Sequence, residues 1–141
     1  MKRPVAYLNP PSAPRVIGMY SHVAVAEAGR LAFIAGQVAV DADGTLIGPD
    51  DLGAQVPVVF ANLGKILHDL GATFADVVEY TTYLVGPDCR AAWFEARAKV
   101  YPEIYPDNKY PPNTLLIISG LNKLEMRVEI SAIVRLPDAA R

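Results

Sequence analysis

Two short stretches, Leu31-Ala32-Phe33-Ile34-Ala35 and Leu115-Leu116-Ile117-Ile118, are apolar at every position. A strand sends alternate side chains to opposite faces, so strands of this kind need cover on both sides. Elsewhere the chain supplies cover for only one. Val56, Val59, Phe60, Leu63, Ile66, Leu67 and Leu70 recur at three- and four-residue spacing, as an amphipathic helix over residues 53–70 requires, and Gly71 is placed to end it. Pro57 calls for a helix that begins close to it or bends there. A second helix is expected from a cap at Asp88 to about Tyr101, where Pro102 discourages continuation. Two helices cover one face of a sheet of this size. The other face must be buried by something else, and a neighbouring subunit is the simplest cover.

The strands that complete this scheme are residues 23–28 and 31–40, joined by a tight turn at Gly29-Arg30, then 77–85, 114–119 and 126–136. The order is ββαβαββ, with short additional pairings at the N-terminus. In the last strand Val128, Ile130, Ala132 and Val134 form one face, while Arg127, Glu129, Ser131 and Arg135 punctuate the other. At 141 residues, with 52% hydrophobic and 20% charged side chains, the chain suits a single folded domain spanning 1–141.

Charge and cysteine usage narrow the function classes. Thirteen Lys and Arg against 15 Asp and Glu give a net charge of -2 with no basic block, which argues against a nucleic-acid partner held through its phosphates. Cys89 is the only cysteine, so an intrachain disulfide and a thiolate metal site are excluded, and a reducing, cytoplasmic setting fits. Residues 1–14 carry no apolar signal core and no run is long enough to span a bilayer, so neither secretion nor a membrane partner is expected.

There is no phosphate loop, no GxGxxG, no GxSxG elbow and no paired-histidine motif. His22 and His68 are far apart, and His68 falls on the first helix, where a solvated or half-packed histidine is the better reading. Asp41-Ala42-Asp43-Gly44 is like the start of a calcium loop, but the twelfth position is Leu52 instead of a bidentate glutamate, so a turn is the better reading. Cys89 has no identifiable partner base and is assigned no role. Glu129 stands out because it interrupts an apolar strand on a face that should be buried. It is either a carboxylate at a strand edge or paired with Arg127 or Arg135 in an interface, or a functional group.

Ile17-Gly18-Met19-Tyr20-Ser21, Phe33-Ile34-Ala35-Gly36-Gln37-Val38, Asn62-Leu63, the strand over 77–85 and Val128-Glu129-Ile130-Ser131-Ala132-Ile133 occur in an order that resembles the RidA/YjgF family, the reactive-intermediate (imine) deaminases also labelled endoribonuclease L-PSP. The resemblance runs from about Tyr7 to Leu136. It implies an α+β, chorismate-mutase-like fold that assembles as a homotrimer, with sheets lining a central barrel, helices outside and small-molecule clefts between subunits. It also implies that Glu129 orients a water attacking an imine, that Tyr20 lines the cleft, and that the backbone of Gly36 borders it. No metal and no cofactor is implied.

One departure matters. The arginine with which deaminating members bind a substrate carboxylate is replaced by Asn113, in Pro111-Pro112-Asn113-Thr114-Leu115, and Ala98 stands nearest the family's asparagine on the second helix. An asparagine amide cannot supply the bidentate, charge-assisted fork of a guanidinium. The leading expectation is therefore a trimer that binds a small polar metabolite and hydrolyses it through a water positioned by Glu129. Tyr20, Gly36, Asn113 and Thr114 would form the ligand site. Two alternatives stay open: a true enamine/imine deaminase releasing ammonia, and a non-catalytic metabolite-binding or scaffolding protein. A ribonuclease role finds no basic stripe and no acid-base pair of histidines.

Overall fold

The computed structural model describes residues 3–139. Its elements in chain order are β1 Val5–Leu8, β2 Val23–Ala26, β3 Leu31–Gln37, α1 Leu52–Asp69, β4 Val77–Leu84, α2 Cys89–Ile104, β5 Asn113–Ile117 and β6 Val128–Arg135. This is the expected α+β order preceded by one short N-terminal strand. Four strands form a sheet in the order β3-β6-β4-β5, while β1 and β2 pair in a separate two-stranded sheet. β4 and β5 are parallel and the other pairs antiparallel. The parallel pair needs a crossover, which α2 provides.

The turn at Gly29-Arg30 does not make a hairpin: β2 pairs β1, and β3 pairs β6. The reason is Arg135, whose side chain fills the corner. It donates to the carbonyls of Glu27 at 3.3 Å, Ala28 at 2.6 Å and Leu136 at 2.5 Å, and a Cβ on Gly29 would collide with its guanidinium. A side chain thus takes the carbonyls that strand pairing at this turn would use. Arg135 is accordingly buried at 3% exposure, and also meets Asp138 at 3.1 Å, instead of punctuating an open face.

Both helices contain a proline: α1 begins close to Pro57, as expected, whereas α2 runs on past Pro102. α1 starts at Leu52, where the Asp51 carboxylate accepts the Ala54 N–H at 3.0 Å. Pro57 removes only the bond to the Gly53 carbonyl, and both residues lie on the exposed side, where water can satisfy that oxygen. The end matches expectation. Gly71 takes φ +70, its N–H bonds His68, and Ala72 N–H reaches back to Leu67, the pattern of a Schellman motif. Asp88 is the N-cap position of α2, but its side chain makes no capping bond. α2 passes Pro102 and ends at Ile104, closed by Tyr105 N–H on the Tyr101 carbonyl at 2.7 Å, because the missing Pro102 bond would have gone to exposed Ala98.

The core lies between the helices and one sheet face. Val56, Val59, Phe60, Leu63 and Leu67 of α1 and Trp93, Ala96 and Tyr101 of α2 pack on Tyr80 and Leu84 of β4 and Val128, Ile130 and Val134 of β6. Gln55, fully buried, donates to the carbonyls of Gly48 and Glu125 and accepts the Arg127 N–H at 2.8 Å. These bonds anchor the residue just ahead of β6 and so set the phase in which Glu129 points away from the core. The opposite face is bare and carries large apolar side chains, as expected from the all-apolar stretches: Phe33 is 72% exposed, Leu31 48% and Leu116 38%.

Candidate functional site

Alternation along β6 puts Val128 and Ile130 under the helices and Glu129 on the open face. Across the sheet Glu129 is in register with Tyr83 of β4. On its other side β3 has an irregularity between Ile34 and Gln37, a bulge that brings Gly36 beneath the glutamate. A Cβ built on Gly36 would overlap the Glu129 carboxylate, so the absence of a side chain at 36 is what lets this carboxylate lie back over the β3 backbone. Neither arginine expected as a partner reaches it. Arg127 bonds Asp50 at 2.5 Å, and Arg135 is spent on backbone carbonyls and Asp138. Among the described residues Glu129 has no hydrogen-bond or ion-pair partner.

Register adds two residues that sequence reading had not singled out for the site. Thr114 of β5, Thr81 of β4 and Ser131 of β6 lie directly opposite one another across three strands, a row of hydroxyls one step along the same face from Glu129. With Phe33, Glu79 and Ile133, Thr81 and Ser131 line a shallow hollow of about 230 Å³. A carboxylate and hydroxyls set in an apolar surface can orient a polar ligand group or a water while apolar neighbours exclude bulk solvent.

Asn113 goes the other way. It is in register with buried Tyr80, and its Oδ1 accepts a 2.8 Å bond from the Thr82 hydroxyl, itself 1% exposed beneath the helices. Adjacent strand residues face opposite sides, so Asn113 and Thr114 do not serve the same surface of one protomer. Tyr20 is likewise separate from Glu129. It stands in the loop between β1 and β2, edge-on to His22 at 5.8 Å, in a segment held by His22 N–H on Asn9 Oδ1 and by a 2.6 Å contact of the His22 ring with the Pro14 carbonyl. This loop lies against α2: the point where a Gly18 Cβ would sit is 3.6 Å from both Arg97 Nη2 and the Tyr20 ring. Within one protomer the structure brings Glu129, Gly36 and Thr114 to the open face and leaves Tyr20 and Asn113 on the helix side.

Arg97 itself is a residue the sequence reading passed over. It is 6% exposed and packs over the rings of Phe94, Tyr101 and Trp93, at 5.0, 5.7 and 5.9 Å. Burial holds its guanidinium below its ordinary pKa. The hollow of about 490 Å³ between the N-termini of the two helices, lined by Asp50, Gly86, Asp88, Cys89 and Arg127, contains none of the expected site residues. Among the described residues no cluster of His, Cys, Asp or Glu is arranged to hold a metal ion, and no helix is long and apolar enough to cross a membrane.

Residues 10–136 match the family model described as endoribonuclease L-PSP. The chain belongs to the RidA/YjgF/RutC family. A RutC family protein of Pyrococcus abyssi is 32% identical over 86% of this chain and 89% of its own, and the RutC family protein YjgH of Escherichia coli is 32% identical over 84% and 86%. Among solved structures, a Rid family protein of unknown function from Yersinia pestis, YyfB, superposes with a TM-score of 0.84 at 33% identity, covering 94% of this chain and 99% of that one. The fold common to the RidA/YjgF/RutC proteins is therefore the fold of this chain.

Proposed function

We propose that this RidA/YjgF/RutC protein is a cytoplasmic homotrimer that binds a small polar metabolite in clefts between subunits and hydrolyses it, with Glu129 positioning the attacking water. The observation that carries this reading is the unpaired Glu129 carboxylate lying over Gly36 on the open face, one step from the hydroxyls of Thr114, Thr81 and Ser131. An ionised group left without a partner on a face that a neighbouring subunit covers would be costly unless a ligand or bound water completed it. Tyr20 and Asn113, on the helix side of one protomer, would meet Glu129 only across a subunit boundary, which favours a cleft built by two chains. Asn113 offers its amide N–H2 there as a neutral donor.

Assembly is the first test. Light scattering at micromolar concentration is expected to give about three times the 15.2 kDa chain mass, and Phe33→Glu, which puts a charge on the bare face, to shift the particle toward monomer. A stable wild-type monomer would remove the cleft and the reading with it.

The chemistry is tested by release of ammonia and keto acid from an amino-acid-derived imine generated in place, with uncatalysed hydrolysis subtracted. Exchanging the neutral amide at 113 for a charge-assisted fork is a gain on the order of 1–2 kcal/mol for a carboxylated ligand. Asn113→Arg is therefore expected to lower the KM for such an imine about tenfold relative to wild type. No turnover above background on imines, enamines or simple amides, with a metabolite still binding saturably, would replace hydrolysis by the non-catalytic binding alternative.

A further inference from the structure

We infer that Arg97 and Trp93 form a second binding site, for a small carboxylate, beneath the Gly18–Tyr20 loop on the outer, helix side of the subunit. Arg97 is more than nine-tenths buried, yet among the described residues no carboxylate pairs with it and its Nε has no acceptor. One helical turn away the indole Nε1 of Trp93, on a side chain with no exposure at all, also lacks an acceptor. Buried donors are nearly always satisfied, and these two unsatisfied ones stand at i and i+4, on one face of α2. The neighbouring rings offer the guanidinium only their π faces, which attract the cation but cannot accept its in-plane N–H bonds.

The surroundings select the ligand. Acceptors must approach the guanidinium at its edge, the geometry a planar carboxylate satisfies with two parallel bonds. One cation balances one negative charge, so a monoanion is suited to this poorly solvated spot and a dianionic phosphate is not. Phe94 and Tyr101 supply apolar contact for a short hydrocarbon portion. Entry is over Gly18. Its backbone has an ordinary conformation, and a side chain there would stand 3.6 Å from Arg97 Nη2, in the approach to the guanidinium. The site lies on the opposite side of the sheet from Glu129 of the same chain and does not depend on that residue's role.

Trp93 is the only tryptophan, so its emission reports on this site alone. Titration of the protein with sodium pyruvate is expected to change the emission saturably, while sodium phosphate and sodium chloride at matched ionic strength do not. Arg97→Met, which keeps the length and apolar packing of the side chain, should abolish the response, and Arg97→Lys should weaken it about tenfold or more because the fork is lost. Gly18→Val keeps Arg97 and the core intact and should also abolish it, which holds the test open even where Arg97→Met does not fold. A wild-type emission unchanged up to tens of millimolar pyruvate, or a response equal in wild type and Gly18→Val, would overturn the assignment and leave Arg97 as a cation held by aromatic faces alone.

Discussion

Glu129→Gln is expected to lower turnover of the identified substrate by about a hundredfold or more while leaving its affinity nearly unchanged, the low end of what a positioned acid-base group contributes. The amide has the size of the carboxylate and fits over Gly36 in the same way, but it has lost the charge and half the acceptor capacity that orient a water for attack. Gly36→Ala is the complementary change. Its methyl would occupy the space of the carboxylate, so Glu129 must swing away, and both binding and turnover should fall. Steady-state kinetics that resolve kcat from KM distinguish the two. Equal kcat in wild type and Glu129→Gln would reject a role for this carboxylate in the chemical step.

Phe60→Ala should be among the most damaging single substitutions for stability. Phe60 is 3% exposed, and its ring meets those of Tyr101, Tyr80, Trp93 and Phe74 with centroids 5.7, 6.0, 6.2 and 6.4 Å apart. It is the point where both helices and the sheet share one aromatic cluster, so truncation leaves a cavity that no single element can collapse to fill. The expected cost is about 3–5 kcal/mol, a large part of the roughly 5–15 kcal/mol that holds a domain folded. Urea unfolding should register that loss, with a melting temperature lower by roughly 10–20 °C for a chain of this size. A loss under about 1 kcal/mol would mean that the cluster repacks around the gap.

Most of the secondary structure was legible because its causes are local. The three- and four-residue spacing that ends at Gly71 identifies α1 within a residue or two, since amphipathic packing and a left-handed glycine both act over a single turn. Pro102 misled for an equally local reason. Whether a lost helical bond matters depends on whether the freed carbonyl meets water, and at Gly53 and Ala98 it does. Arg97 left a trace that could have been followed: Trp93, Ala96, Arg97 and Tyr101 share one helical face, so a cation stands where the spacing demands an apolar residue.

By itself the sequence determined the α+β order, the polar and apolar faces of β6, the two-sided apolar character of β3 and β5, and the placement of Glu129 on the face away from the helices. Each of these follows from periodicity within one element. Only the tertiary structure decided that β2 joins β1 instead of β3, that a bulge carries Gly36 beneath Glu129, that Thr81 and Ser131 complete a hydroxyl row with Thr114, and that Asn113 turns toward Thr82 under the helices. These depend on register between strands distant in sequence, and on one side chain, Arg135, taking the carbonyls of a turn more than a hundred residues earlier. Strand register carries no local signature, because shifting a pairing by one residue leaves every propensity as it was and exchanges the two faces.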